Sequence, residues 1–333
     1  MSSANLSFPS RAVARKFYQS LTVSLAIHKP VTLTLFVSAA VRFVEFIICV
    51  CFFAHTASPY FVAPIPTLLN GEESFLYAHS IIRQYGFFAG QLAVLTIFIA
   101  SHPARYRPFI SLLALSHLLV AGLGVYVYLT QHLLLAQLLP SLCLNVLIAG
   151  ALWRWQPEPQ PLPNNLDEMA LCTIFGFSLP AQWQQGSLRL LCLIAGGLWV
   201  LWGLGSTVFW EIGTAQISSD RTMAQNLLAA MQANSVVRNQ QGMMLLSIGL
   251  ITAWAARHPF AYQKIIDFVM VQQVINALSA VVELWFGAII WSQFLTVFSA
   301  QVLTLTLFWI LYPLRTIEKT KSELASLSQG QVV

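Results

Sequence analysis

The sequence predicts an all-α integral membrane protein with eight transmembrane helices. They form two tandem four-helix repeats in parallel orientation, each preceded by an interfacial amphipathic helix. Three observations predict this. The 333 residues are 57% hydrophobic and only 9% charged, with a mean hydropathy of +0.69, whereas a soluble domain carries about 25% charged residues. Apolar runs of about 20 residues recur, enough for a helix to cross roughly 30 Å of hydrocarbon, and they lack the alternation of a membrane β-barrel. The chain also repeats itself. Arg83-Gln84-Tyr85-Gly86, an apolar run and His102-Pro103-Ala104-Arg105-Tyr106 are followed later by Arg238-Asn239-Gln240-Gln241-Gly242, an apolar run and His258-Pro259-Phe260-Ala261-Tyr262. The glycines (242 − 86) and the histidines (258 − 102) are both 156 residues apart, and the same offset pairs Thr96 with Thr252 and Trp153 with Trp309 without a gap. A repeat of this length means two copies of one structural unit.

Residues 1–154 make the first repeat. Its start is basic (Arg11, Arg15, Lys16, Lys29), and Val13, Phe17, Leu21 and Leu25 recur every four residues. That pattern predicts a helix lying on the membrane surface. Spans are expected over 31–54, 82–100 (entered helically from Glu72), 108–130 and 133–153, with a tight basic turn at 102–107. Prolines at 157, 159, 161 and 163 make 155–164 an extended linker, because alternating prolines cannot continue a helix. The second repeat, 165–314, opens with Asn165 capping a short amphipathic segment containing Leu166, Met169, Ala170 and Ile174. Its spans are expected over 188–210, 240–256, 262–286 and 290–311. Met223, Leu227 and Met231 predict another surface helix within 220–237, and 315–333 is a polar tail.

Charge placement sets the orientation. Of the 17 Lys and Arg, Arg42 lies within a span and Arg83, Arg221 and Arg238 fall on the far side. The remaining thirteen (17 − 4) share the side of the N-terminus. This asymmetry predicts a protein of the cell's inner membrane with both termini cytoplasmic. Four spans per repeat is an even number, so the two repeats point the same way. The net charge of +5 thus flanks the membrane and is no nucleic-acid footprint; the lipid bilayer is the implied partner. Four of the five cysteines, Cys49, Cys51, Cys143 and Cys192, lie in apolar runs. With Cys172 they form no C-x-x-C, so no disulfide framework is expected.

Polar side chains inside spans are costly and are the first candidates for function. Arg42 and Glu45 stand i,i+3 near the middle of the first span, and His117 lies at similar depth in the third. The second-repeat positions are Leu198, Leu201 and Gln273, so this cluster belongs to the first repeat alone. It is either a functional site or a buried ion pair that fixes helix register, and His117 is its proton-exchanging group near neutral pH. Gln272, Asn276 and Glu283 share one face of the seventh span, within about 40° at 100° per residue, as a polar path or as interhelical glue. Gln301, opposite Asn145 under the offset, is placed to face them. His55, His79, Arg83, His132, Glu211 and Arg238 gather at the outer boundary. There, opposite charges of the two repeats meet across a pseudo-twofold axis or are solvated at headgroup level. No metalloprotease, phosphate-loop, nucleophile-elbow or haem-attachment motif is present. No catalytic residue, metal or cofactor is assigned.

The unit of four spans, with Arg83 and Gly86 opening the second span and 102–107 closing it, and then Arg238, Gly242 and 258–264, resembles the DoxX-like four-helix membrane proteins. The resemblance implies a four-helix membrane bundle, here duplicated, and an association with quinone-linked redox systems found in some members. It carries over no catalytic residue. Three classes of function are consistent with the sequence. One is a binding or accessory protein for a lipophilic quinone- or isoprenoid-like molecule. The second is a small-solute or proton-coupled transporter, and the third is a structural subunit held by partners in a larger membrane complex.

Overall fold

The computed structural model describes residues 19, 22–24, 26–51, 72–131, 135–159, 171–172, 178–179, 181–207 and 235–312. Eight long helices make up most of them: α1 (Lys29–Cys51), α2 (Glu72–Ala100), α3 (Arg107–Gln131), α4 (Leu135–Arg154), α5 (Ala181–Thr207), α6 (Ser235–Ala255), α7 (Gln263–Trp285) and α8 (Trp291–Ile310). Among the described residues, six of these are long and apolar enough to cross a membrane: α1, α2, α3, α5, α7 and α8. The protein is therefore a multi-pass helical membrane protein by length and composition. The other two fall short for different reasons. The apolar part of α4, Leu138–Arg154, is about 26 Å long at 1.5 Å per residue. α6 is long enough, but it opens on Arg238-Asn239-Gln240-Gln241, which lowers its hydropathy.

Local sequence explains where these helices start and stop. α3 has Pro108 in its first turn, where a missing N–H leaves no bond unmade. α7 ends at Gly287 with φ 71°, a left-handed conformation that a Cβ disfavours. Ala288 N–H then donates to Glu283 O (2.9 Å) and Gly287 N–H to Leu284 O (3.0 Å), the paired bonds of a Schellman cap.

One end of the bundle is defined by contacts among helix starts and stops. Ser24 Oγ donates to Ala100 O (3.0 Å), Gln156 Nε2 to Ser111 Oγ (3.0 Å), Gln184 Nε2 to Leu311 O (3.0 Å) and Gln263 Nε2 to the Tyr312 hydroxyl (2.8 Å). The Tyr106 and Tyr262 rings lie 6.1 Å apart there. We call this the turn end, since it carries both His-Pro turns. α1, α3, α5 and α7 begin at it, and α2, α4, α6 and α8 finish at it. The two turns are built alike. His102 N–H bonds Ile99 O, Tyr106 N–H bonds His102 O and Phe109 N–H bonds Tyr106 O. The same bonds recur 156 residues later at His258, Tyr262 and Ile265.

α2 and α6 are the central helices. α1 packs on α2 and α5 on α6; α3 pairs with α4 and α7 with α8. Across the halves, α2 touches α6 and α7, while α6 touches α3. In α2, 78% of the membrane-length window is buried within the protein, against 6% in α8, which faces outward. The α5–α6 interface is the most extensive, and glycines make it so. A Cβ at Gly196 would lie 2.7 Å from Gly249 O, and one at Gly203 would lie 2.6 Å from Gly242 O. Small residues let membrane helices approach this closely. The halves differ in one respect. α1 also packs on α4, closing the first half, whereas α5 and α8 share at most a marginal contact.

One expectation is corrected. The amphipathic helix expected to open the second repeat is not helical at Leu171–Cys172, which pairs antiparallel with Ser178–Leu179, Leu171 opposite Leu179. The rest of the expected helix, 165–170 and 173–174, lies outside the described residues. At the N-terminus, residues 19, 22–24, 26 and 27 are helical and rest on the turn end through Ser24. α5 begins at Ala181, ahead of the expected 188. The surface helix expected before α6 (220–234), most of the linker (160–164) and the tail (315–333) lie outside the described residues.

Candidate functional site

Two polar groups lie between the helices, and they differ in how completely their hydrogen bonds are met. The first sits in the first half. Arg42 Nη1 donates to Glu45 Oε2 at 2.8 Å, and Nη2 reaches Asn145 Oδ1 at 3.4 Å. His117 Nδ1 lies 2.7 Å from that same oxygen, and its Nε2 lies 2.9 Å from Ser38 Oγ. Asn145 Nδ2 donates to Ser141 O (2.8 Å), so Oδ1 is the acceptor. His117 therefore donates from Nδ1, and its Nε2 accepts from the Ser38 hydroxyl. The neutral δ-protonated ring satisfies every contact. Tyr85 of α2 also approaches the Arg42 guanidinium.

This network ties α1, α3 and α4 together. Arg42 is 3% exposed, His117 3% and Asn145 6%. Sequence placed Arg42, Glu45 and His117 at one depth, and they do form one cluster. It missed that Asn145 and Ser38 join them: Arg42 and His117 are bridged by the Asn145 carboxamide. The signal was available, because an Asn within an apolar span is itself expensive. In the second half, Leu198 and Leu201 stand at the offset positions of Arg42 and Glu45 and are 63% and 67% exposed, on the side α8 does not cover.

The second group runs along the contact of α2 with α7. Arg83 Nε and Nη2 hold the two oxygens of Glu283 at 3.0 and 2.8 Å, and the guanidinium carbon lies 4.4 Å from the Phe286 ring centroid. Deeper, Gln91 Nε2 donates to Asn276 Oδ1 at 2.6 Å. Deeper still is Gln272, fully buried, with no hydrogen-bond partner for either amide atom. Asn276 Nδ2, Gln91 Oε1 and, on α8, Gln301 Oε1 are likewise buried without partners. The predicted stripe Gln272–Asn276–Glu283 thus exists and is buried. Its Glu283 serves Arg83, which sequence had placed in a separate outer cluster. No hydrogen bond joins Gln301 to the stripe among the described residues.

Of that outer cluster, Arg83, His79 and Arg238 lie among the described residues. Arg83 turns inward to α7, and Arg238 Nη2 reaches Asn239 Oδ1 at 3.2 Å. His79 is half-buried on α2, while His55, His132 and Glu211 lie outside the described residues. Among the described residues no group of His, Cys, Asp or Glu is placed to hold a metal ion.

The turn end carries a third set of polar groups. Lys264 Nζ lies 3.3 Å from Asp267 Oδ2, and the Tyr312 hydroxyl donates to Asp267 Oδ1. Burial holds the His102 imidazole below its ordinary value, with Arg105 and Lys264 adding to the effect. Burial likewise pushes the Tyr106 hydroxyl up to about 12.

Partner counting separates the two interior groups. The first is nearly closed, its members hydrogen-bonded to one another with only Arg42 Nε buried and unpartnered, as interhelical glue is. The second leaves four amide donors and acceptors besides Gln301 Oε1 buried and unmet, and an unpaired buried amide costs roughly 2–7 kcal/mol. No protein-family model, curated protein or solved structure matches the chain.

Proposed function

We propose that this chain is an eight-span inner-membrane protein made of two parallel four-helix units of the DoxX-like kind. Its unsatisfied amides bind the hydrogen-bonding head of a lipophilic, quinone- or isoprenoid-like molecule. The observation that carries this reading is Gln272, buried to 0% exposure with neither amide atom paired. A carboxamide N–H donates to a carbonyl and its oxygen accepts from a hydroxyl. Asn276 Nδ2 on α7 and Gln91 Oε1 on α2 offer the same two chemistries. The matched helix contacts and matched turn hydrogen bonds support the duplication. The bound molecule's apolar tail lies along the outward α8 face, where α5 leaves α8 uncovered.

The test is lipid and quinone profiling by mass spectrometry of full-length protein purified in mild detergent. Gln272→Leu is expected to lose the co-purifying molecule at least about tenfold, the value of one lost hydrogen bond of about 1.4 kcal/mol, while melting no lower than wild type, since neither Gln272 amide atom has a partner to strand. Arg42→Met/Glu45→Leu, which removes both partners of a closed pair, keeps the molecule. Equal content in all three proteins overturns the reading. A stoichiometric co-purifying protein and no small molecule would favour a structural subunit instead.

Topology follows from the basic residues. Single cysteines introduced at Glu72 and Asp220 are expected to react with a membrane-impermeant maleimide in intact cells, and one at Gln160 only after lysis. Labelling of Gln160→Cys in intact cells would reverse the orientation. An equal count of spans per repeat also requires the reagent to reach 72 and 220 alike.

A further inference from the structure

At the turn end a cavity of about 370 Å³ opens between the start of α3, the residues after α4 and the turn before α7. Arg105, Arg107, Ser111, Gln156 and Tyr262 supply its polar lining. From these residues we propose a binding site for a phosphoryl group, as carried by the head of an anionic phospholipid.

Three observations carry the proposal. The lining holds two guanidinium groups and no carboxylate, and neither arginine enters an ion pair among the described residues. The nearby carboxylate, Asp267, is already engaged by Lys264 and Tyr312, and Glu158 is exposed and outside the lining. Arg105 Nε is also buried without a hydrogen-bond partner, a donor in want of an acceptor. Arginine's planar fork suits phosphate oxygens. Ser111, one helical turn beyond Arg107, is joined to Gln156 at 3.0 Å, and the Ser111 hydroxyl can turn to donate. The cavity lies at a helix end, level with the headgroups of a bilayer that α3 would cross, where basic pockets between helices meet anionic lipid. Copy number is informative too. At the 156-residue offset, Ala261 and Gln263 replace Arg105 and Arg107, so the site is built once.

The experiment is native mass spectrometry of the full-length protein in mild detergent, titrated with phosphatidylglycerol or phosphatidylcholine, with and without excess inorganic phosphate. Wild type is expected to retain phosphatidylglycerol adducts in preference to phosphatidylcholine. Arg105→Gln/Arg107→Gln is expected to lose them roughly thirtyfold, the combined effect of two basic residues near a membrane surface. Arg154→Gln, an exposed arginine outside the cavity, leaves them unchanged. Competition by inorganic phosphate, or phosphate binding that depends on both arginines without lipid preference, keeps the phosphoryl assignment and distinguishes the lipid from the free anion. Adducts and phosphate binding that survive Arg105→Gln/Arg107→Gln overturn it. If that variant does not fold, phenylglyoxal modification of wild type decides. Phosphatidylglycerol should slow reaction at Arg105 and Arg107 relative to Arg154, and equal rates with and without the lipid overturn the site.

Discussion

Gly203→Leu and Gly249→Leu are each expected to prevent assembly of a stable bundle, whereas Gly205→Leu should be tolerated. At Gly203 an added Cβ meets Gly242 O at 2.6 Å and Leu246 N at 2.7 Å; at Gly249 it meets Gly196 O and Val200 N, both at 2.7 Å. These neighbours are backbone atoms, so no side-chain rotation relieves the clash and α5 must move away from α6. Overpacking ordinarily costs 1–3 kcal/mol. Separation of the largest interhelical contact should cost about 3 kcal/mol or more. Gly205 meets nothing within 4 Å, which makes it the matched control on the same helix. Thermal unfolding in detergent beside membrane expression level is the measurement. Similar melting of Gly203→Leu and Gly205→Leu would show that the close approach is not what holds α5 to α6.

The second large effect is expected at the Arg83–Glu283 pair. Both side chains are essentially inaccessible, 1% and 3% exposed, and the guanidinium grips both carboxylate oxygens. Removing one partner strands a buried charge, and such losses run to about 3–5 kcal/mol. Glu283→Leu should therefore lower the melting temperature sharply. Arg83→Met/Glu283→Leu should recover most of the loss, because a buried pair replaced by apolar residues of similar volume is often neutral. High salt should change little, since a buried pair is poorly screened. A Glu283→Leu protein that melts with wild type would show that the pair contributes nothing to the joining of α2 to α7.

The large features were legible because they rest on composition and periodicity. Runs of apolar residues gave the helices to within a few positions at most ends, and the 156-residue offset paired Gly86 with Gly242, which both sit at close helix approaches. Arg42, Glu45 and His117 were readable as one cluster because two are neighbours on a helical face and the third shares their depth. What was not legible depends on which helix lies beside which. Arg83 and Glu283 are 200 residues apart, and nothing local to either names the other. The offset hides them as well, since Asn239 and Val127 stand at their equivalent positions. Residues 171–172 misled for the opposite reason: the helical spacing of Leu166, Met169, Ala170 and Ile174 pointed to a helix, but Leu171 and Cys172 pair as a strand with Leu179 and Ser178.

The separation of Arg83 from Glu283 also has a meaning in time. A ribosome adding 5–20 residues per second needs roughly 10–40 s to make the 200 residues between them. Over that interval α2 is already synthesised and holds Arg83 and Gln91 without the α7 side chains that complete them. The first-half network waits about half as long, since Arg42 and Asn145 are 103 residues apart. The nascent chain can thus lock α1, α3 and α4 together early, while α2 reaches its final seat only when α7 arrives. A chain truncated before α7 carries the Arg83 guanidinium without the Glu283 carboxylate that it grips in the finished protein.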